Sequence, residues 1–178
     1  MAVNSASLPL IEAAKGGDDA AFEALLEPLL DQAYRLACGL LHDHRGAEDA
    51  VQEAAFKAWR KLSQLRAGAE MRPWFLAIVA NECRSARRSR WSSVVTTDVP
   101  ERTGDAGDEA VVEGIELRRA LRAMDPDKRL VLVLHWYLDL PVDEIAGVIR
   151  TSVHAAESRL ARATRDLRRR MEASRGRP

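Results

Sequence analysis

Hydrophobic residues in the first half of the chain recur at steps of three and four positions, which is the period of an amphipathic α-helix. The pattern predicts a helix that begins after a cap at Asp18 or Asp19 and is bent or split at Pro28. Further helices are predicted over residues 47–62 and around Pro73. The stripe of the first helix comprises Phe22, Leu25, Leu26, Leu29, Leu30, Ala33, Tyr34, Ala37, Leu40 and Leu41.

The second half of the chain also has a helical pattern. Predicted helices cover residues 112–124, 127–137 and 142–149, and a long final helix follows a cap at Ser152. A short helix, a tight turn and a longer basic helix are the sequence outline of a helix-turn-helix. The chain is therefore predicted to end in this motif.

A segment without periodicity separates the two helical halves. Residues 91–108 are rich in Ser, Thr, Gly and Asp and contain Pro100, a composition typical of a flexible linker. We therefore predict an all-α protein built from two small helical domains. Residues 1–90 are expected to form the first domain, residues 91–110 the flexible acidic linker, and residues 111–178 the second domain.

Composition narrows the class of protein further. Hydrophobic residues make up 47% of the 178 residues, which is enough for packed cores, while aromatic residues make up only 5%. The apolar runs are too short to span a bilayer and no export signal is visible, so a cytoplasmic protein without membrane insertion is expected. Cys38 and Cys83 lack the spacing of metal ligands and are expected to be reduced thiols, so no metal and no cofactor are predicted.

The formal net charge is zero, yet the charges form four blocks. Residues 1–53 carry 10 acids and 3 bases, and residues 54–90 carry 2 acids and 9 bases. Residues 91–116 carry 7 acids and 1 base, and residues 117–178 carry 8 acids and 14 bases. The net charges of −7, +7, −6 and +6 give each domain a basic block that suits a phosphate backbone. Ordinary solvated helix faces remain the alternative for any single block.

The final helix is the first candidate for DNA binding. Its arginines recur at three- and four-residue spacing, and arginine can pair with phosphates or with guanine edges in the major groove. A solvated basic helix end is the alternative. The predicted upstream-DNA contacts are Arg150, His154, Glu157, Ser158, Arg159, Arg162 and Arg165, of which Glu157 would repel phosphate but accept a hydrogen bond from cytosine.

The third predicted helix carries the other basic cluster. Asn81, Arg84 and Arg88 share one of its faces, and Arg87 is adjacent. Trp74 could stack on an exposed base, although its place on the apolar stripe favours a role in the core.

The outer face of the second predicted helix has a different character. Asp49, Gln52, Glu53 and Phe56 are spaced i, i+3, i+4 and i+7, so they form one patch. A phenylalanine beside two carboxylates on a helix surface is typical of a protein-binding face, because catalytic carboxylates require a cleft. In the alternative, Phe56 turns inward and only polar groups face solvent.

Three sequence motifs resemble those of the extracytoplasmic-function (ECF) sigma factors of bacterial RNA polymerase. Residues 49–59, DAVQEAAFKAW, resemble the core-binding motif of the second conserved region. Residues 72–84, RPWFLAIVANECR, are similar to the segment that melts and reads the minus-ten element. DEIA at 143–146, with SRLARA at 158–163, resembles the fourth region, which reads the minus-thirty-five element.

The resemblance implies a sigma factor without catalysis of its own. Asp49, Gln52, Glu53 and Phe56 would dock on the largest subunit of core RNA polymerase, and residues 63–71 would hold a flipped base of the opened promoter strand. The acidic linker would pass near the polymerase active-site channel. An anti-sigma factor is the expected regulatory partner, and no small-molecule substrate is expected.

Two departures from the family pattern concern the helix-turn-helix. The turn commonly carries glycine where this chain has Arg150, so either the turn differs or Arg150 adopts a left-handed conformation. The family often has Thr-Val-Lys where residues 155–157 read Ala-Ala-Glu, which implies an unusual upstream element.

Two other classes of function compete with this interpretation. A stand-alone helix-turn-helix regulator would explain the last domain, but it leaves the Asp49–Phe56 face without a purpose and needs a dimer interface. An enzyme is not expected, because the sequence has no nucleotide-binding loop, HExxH motif or nucleophile elbow and its four histidines are scattered.

Overall fold

The computed structural model describes residues 7–93 and 108–175, and every regular element within these two ranges is helical. This confirms the all-α prediction. A 3₁₀ turn at Leu62–Gln64 follows the third helix and a π-helical turn at Val133–Tyr137 extends the sixth. The α-helices, named α1 to α8 in chain order, are Ser7–Lys15, Asp19–Leu41, His44–Lys61, Met71–Ser93, Asp108–Arg122, Pro126–Leu132, Val142–Val148 and Val153–Arg175.

The beginning of α2 follows the sequence prediction, whereas its middle does not. Asp18 is the N-cap, and its carboxylate accepts a hydrogen bond from the Ala21 amide at 3.1 Å. Pro28 lies inside α2 without splitting it, so of the two expected effects, a bend or a split, the split is wrong. Proline removes one backbone hydrogen bond, but buried side chains before and after it, such as Leu26 and Ala33, hold both parts against the same core.

The structure describes the two ends of the predicted linker, and both are helical. Helix α4 continues to Ser93 and α5 begins at Asp108, so both ends of residues 91–108 are helical. Residues 94–107, which hold the rest of the predicted linker, lie outside the described residues. Helix α1 was not predicted; its few apolar positions, among them the buried Ile11 and Ala14, are too few to establish a period.

Small residues allow the first three long helices to pack closely. Ala50, Ala54 and Ala58 form the buried stripe of α3, and Phe75 and Val79 of α4 are fully buried. Alanines at steps of four present a smooth surface on which the larger side chains of α2 and α4 fit. This packing turns the opposite side of α3 toward solvent.

The second half forms a compact group of α5 to α8 around the π-helical turn. Leu134, Leu140 and Ile145 are fully buried, and α8 contributes Ala156 and Ala163 to the same core. Each of the large aliphatic side chains stabilises the fold by about 2 kcal/mol through its burial.

The two halves are packed against each other through a buried arginine. Arg129 of α6 is 4% exposed, and its guanidinium donates to the carbonyls of Leu40 at 3.0 Å, Leu121 at 2.7 Å and Arg122 at 2.7 Å. Burial lowers the pKa of Arg129 to about 10, so the guanidinium stays charged at neutral pH. One side chain thus joins the C-terminal ends of α2 and α5, where the last carbonyls have no amide partner within the helix.

Candidate protein and nucleic-acid interfaces

The outer face of α3 carries the predicted protein-binding patch. Asp49, Gln52, Glu53 and Phe56 are all exposed, and Phe56 is 55% exposed. The alternative in which Phe56 turns inward is therefore wrong, because the alanine stripe already fills the core side of α3. An exposed apolar ring that shares an open helix face with two carboxylates is chemically suited to bind a protein surface that carries basic groups.

Two cations that the sequence analysis overlooked organise this patch. The Lys57 ammonium lies 3.2 Å from Glu53 and 2.6 Å from Glu82 of α4, and the hydrogen bond with Glu82 raises the pKa of Lys57. The Arg60 guanidinium lies 5.6 Å from the centre of the Phe56 ring. The i, i+4 spacing of both pairs is the signal that could have identified them.

The basic cluster of α4 is partly engaged with the second half of the molecule. Arg84 donates to the Asn81 side chain at 2.8 Å and to the Asp127 carboxylate of α6 at 2.9 Å. Arg87 and Arg88 are exposed on the same helix. Trp74 is half-buried and packs against the core, as its position on the apolar stripe favoured, so base stacking by Trp74 stays a prediction.

Helix α8 presents one polar stripe to solvent. Its first turn is capped by Ser152, whose hydroxyl accepts from the Ala155 amide at 3.2 Å, as predicted. The buried side of the helix faces α6 and α7. The polar stripe lies on the opposite side of the helix and consists of residues spaced three or four positions apart. Its members are His154, Ser158, Arg162, Arg165 and Arg169. Arg159 is exposed but lies beside this stripe, and the exposed Glu157 carboxylate lies 3.7 Å from His154.

The turn between α7 and α8 resolves the question raised by Arg150. Its φ of 52° is left-handed, so Arg150 adopts the conformation for which the family commonly uses glycine. The Arg150 amide bonds the Gly147 carbonyl at 3.3 Å and the Thr151 amide bonds the Ala146 carbonyl at 2.9 Å. These two bonds end α7 and orient the start of α8.

A carboxylate that the sequence analysis treated only as a charge anchors α8. Asp166 is buried and pairs with Lys128 of α6 at 3.0 Å and with Arg169 at 3.2 Å. The hydrogen bond with Lys128 lowers the pKa of Asp166. Because Asp166 lies on the core side of α8, it fixes the rotation of the helix and directs the arginine stripe outward.

Metal-binding clusters and activated thiols are absent from the parts of the chain that the structure describes. Residues 7–93 and 108–175 contain no group of three or more His, Cys, Asp or Glu side chains arranged to hold a metal ion. Burial raises the pKa of both thiols, that of Cys83 to about 12, so neither is an activated nucleophile. None of the described helices is long and apolar enough to cross a membrane.

The sequence matches two known protein families, one in each half of the chain. Residues 25–93 match the Sigma-70 region 2 family and residues 114–167 match Sigma-70 region 4. The ECF RNA polymerase sigma factor SigL of Mycobacterium tuberculosis is 30% identical over 162 residues, which cover 85% of this chain and 92% of SigL. The chain belongs to the ECF sigma factors. The patch on α3 and the basic cluster on α4 lie in region 2, and the stripe on α8 lies in region 4.

Other relatives extend the comparison. The RNA polymerase sigma-H factor of Pseudomonas aeruginosa is 26% identical over 169 residues, covering 86% of this ECF sigma factor and 88% of its relative. The factor SigG of M. tuberculosis is 30% identical over 200 residues, which cover 94% of this chain and 52% of SigG. The chain therefore spans about half the length of SigG.

Solved structures share the fold. CnrH, solved in complex with the cytosolic domain of CnrY, has a TM-score of 0.73 at 24% identity, covering 95% of this chain and 99% of CnrH. The sigma factor RpoE of Bartonella quintana, solved with the anti-sigma factor NepR, has a TM-score of 0.67 at 24% identity, covering 85% of this chain and 96% of RpoE. The helical arrangement of this ECF sigma factor is thus shared with CnrH and with the solved sigma factor RpoE.

Proposed function

We propose that this ECF sigma factor binds core RNA polymerase and directs promoter-specific initiation of transcription, without a catalytic step of its own. The observation that carries the proposal is that one chain has two chemically different surfaces in two different regions. An acidic face with an exposed phenylalanine lies in region 2, and a stripe of arginines lies on the recognition helix of region 4. A stand-alone DNA-binding regulator has no use for the first of these surfaces.

Docking on polymerase is assigned to the α3 patch. An exposed aromatic side chain is typical of the residues that contribute most to binding energy in protein interfaces. The carboxylates of Asp49 and Glu53 would select a basic partner and repel acidic competitors. Lys57 restrains the Glu53 side chain before binding, so less side-chain entropy is lost in the complex.

Recognition of the minus-thirty-five element is assigned to α8. The start of the helix would enter the major groove, where His154, Ser158 and Arg162 reach base edges. Arg165 and Arg169 lie further along the same stripe and would pair with phosphates. The salt bridge to Asp166 restricts Arg169 and makes Arg165 the more available cation of the two.

The minus-ten element is assigned to α4 and the segment before it. Asn81, Arg84, Arg87 and Arg88 would contact the opened strand through phosphates and base edges. Residues 63–71, which connect α3 to α4, would hold a flipped base. The assignment of α4 is supported by its exposed arginines Arg87 and Arg88, and both assignments are supported by the match of these residues to region 2.

An anti-sigma factor is proposed as the regulatory partner in the cytoplasm. RpoE and CnrH were each solved with such a regulator or with the cytosolic domain of a second protein. In this chain a groove between the two halves is lined by apolar side chains that include Leu121, Trp136 and Met171, and by arginines that include Arg45 and Arg168. This combination suits an amphipathic helix with acidic flanks.

The first prediction tests docking on core polymerase. Glu53→Arg and Phe56→Ala should each weaken binding of the labelled protein to bacterial core RNA polymerase by at least about tenfold, which corresponds to about 1.4 kcal/mol. Because both side chains are exposed, neither change should lower the melting temperature appreciably. Binding is measured by fluorescence anisotropy, with Glu23→Arg, an exposed charge reversal on α2, as the matched control.

The outcomes separate the two functional classes. If Glu23→Arg weakens polymerase binding as much as Glu53→Arg does, net charge alone explains the effect. The α3 patch is then no longer the proposed docking site. If the wild-type protein does not bind polymerase but binds specific duplex DNA tightly by itself, the stand-alone regulator replaces the sigma factor.

A further inference from the structure

Glu157 is an acidic side chain in the first turns of α8, the part of the helix that is proposed to enter the major groove. Its side chain is 58% exposed. The preceding residue, Ala156, is fully buried, and the Ser152 cap fixes the first turn, so the packing of the helix sets the direction of Glu157. A carboxylate between two phosphate backbones is repelled unless a base donates a hydrogen bond to it. Glu157 therefore requires a donor on the DNA.

The other carboxylates of α8 are in different surroundings. Asp166 is buried and pairs with basic side chains of α6 and α8. Glu172 is exposed, but it lies about four turns further along the helix. The positions three and four residues from Glu157 hold no lysine or arginine; they are Val153, His154, Leu160 and Ala161. No permanent cation at these neighbouring positions thus offsets the charge of Glu157.

A histidine one turn earlier lies beside this carboxylate. The His154 Nδ1 atom is 3.7 Å from the Glu157 carboxylate, and the His154 side chain is 92% exposed. An imidazole ring carries at least one N–H donor, whereas an ionised carboxylate only accepts hydrogen bonds. The start of α8 thus presents an acceptor and a donor side by side.

The base pair that best matches this arrangement in the major groove is C·G. Cytosine presents its N4 amino donor, and the guanine paired with it presents the O6 and N7 acceptors. Adenine also has an amino donor, but its N7 acceptor lies on the same edge and would repel the second carboxylate oxygen. Guanine and thymine present only acceptors to a carboxylate. The complementary arrangement places cytosine against Glu157 and guanine against His154.

We propose that Glu157 and His154 together recognise one C·G base pair of the minus-thirty-five element, and that Glu157 determines the orientation of this pair. Glu157 accepts a hydrogen bond from the cytosine N4 amino group, and His154 donates one to the guanine. The reversed pair places guanine acceptors against the carboxylate and is rejected. This rests on the proposed function and adds a base-pair specificity to it. The phosphate contacts of the arginine stripe cannot supply that specificity, because phosphates carry no sequence information.

A randomised promoter tests this specificity. The full-length protein, assembled with bacterial core RNA polymerase, first initiates on fragmented genomic DNA, and sequencing of the 5′ ends of the transcripts identifies a promoter. The upstream element of that promoter is then randomised, and the templates that yield transcripts are sequenced. Wild type is compared with Glu157→Ala, Glu157→Lys and His154→Ala. Glu172→Ala is the matched control, because it also removes one exposed carboxylate from α8.

The expected results are specific to one position of the element. Wild type should prefer cytosine to guanine there by at least about tenfold. In Glu157→Ala this preference should fall below about twofold while the other positions keep theirs, and in Glu157→Lys it should reverse, because an ammonium group donates to guanine O6 and N7. His154→Ala should weaken the preference without reversing it, and Glu172→Ala should keep the wild-type preferences.

Three results would overturn the base-pair assignment. The first is a wild-type preference profile in Glu157→Ala, and the second is the same loss of preference in Glu172→Ala. The third is a preference for adenine at the position that depends on Glu157. An unchanged preference in His154→Ala would overturn the shared recognition by the two residues. Since Glu157 and His154 are exposed, the variants should keep the wild-type melting temperature, which circular dichroism measures.

A selection without polymerase separates failure of this assignment from failure of the proposed function. Wild type and Glu157→Ala each select short duplexes of random sequence at low salt, where phosphate contacts are strongest. If polymerase gives no transcripts, the proposed function fails, and the base-pair assignment then stands or falls on a cytosine preference in this selection that Glu157→Ala loses. If transcripts form but no position of the element depends on Glu157, the assignment fails and the proposed function stands.

Discussion

Arg150 is the residue at which local strain and proposed DNA contact coincide. Its backbone is left-handed, a conformation that costs a non-glycine residue about 1 kcal/mol or more. The two hydrogen bonds of the turn require this geometry, and the exposed side chain lies just before the recognition helix. Strained residues are concentrated at functional sites. We therefore expect that an arginine is kept at this position for its function rather than for its contribution to stability.

The second prediction separates these two roles. Arg150→Gly should raise the free energy of unfolding by up to about 1 kcal/mol because glycine relieves the strain, while Arg150→Ala should not. Both changes should weaken promoter binding by the polymerase complex, since both remove the guanidinium. Urea denaturation and DNA affinity of the two variants are compared, and a gain in stability for alanine as well would show that the turn is unstrained.

At the scale of the element, the anchoring of α8 depends on a buried carboxylate. Asp166 faces Lys128 of α6 and Arg169 and Arg170 of its own helix, so its charged form is favoured. A carboxyl group whose folded-state pKa is lowered contributes stability above its unfolded pKa of about 3.9, and this contribution is lost as pH falls through the lower folded value. The rotation of the recognition helix thus depends on an ionised Asp166.

The third prediction follows from the lowered pKa of Asp166. Asp166→Asn should melt at a lower temperature than wild type near pH 7, and the difference should shrink as the pH is lowered below about 4. Melting temperatures measured by circular dichroism across this range test the effect. Glu172→Gln, an exposed amide substitution on the same helix, is the control. A difference that persists unchanged at low pH would assign the effect to packing rather than to charge.

At the scale of the whole molecule, Arg129 links three segments through backbone carbonyls. No carboxylate accepts a hydrogen bond from it among the described residues, so its charge is stabilised by the helix ends it joins. Breaking the network leaves buried carbonyls without donors, which costs more than an exposed pair would.

The fourth prediction concerns this network. Arg129→Lys should lower the free energy of unfolding by about 2 kcal/mol, because an ammonium group keeps the charge but lacks the fixed fork with which the guanidinium reaches several carbonyls at once. The acceptors are the carbonyls of Leu40, Leu121, Arg122 and Met124. Chemical denaturation measures the loss, with Arg119→Lys on the exposed side of α5 as the control. Equal stability of both variants would show that water or a rearranged lysine satisfies the carbonyls.

The helices, the family and the exposure of most candidate residues could be predicted from the sequence by itself. Helical periods, the caps at Asp18 and Ser152, and the spacing of Asp49 to Phe56 all reflect interactions between residues a few positions apart. The left-handed Arg150 was one of two expected alternatives because a turn has few solutions. These features are local, and local sequence therefore determines them.

Only the tertiary structure decided how the two halves meet. The Arg129 side chain bonds a carbonyl 89 positions away, and Arg72 pairs with a glutamate 72 positions away. Neither residue differs from other arginines in a chain rich in them, so no sequence pattern marked them. The burial of Asp166 was missed for the same reason. Long-range partners are chosen by packing, since the core that buries a charge also selects the groups that can stabilise it.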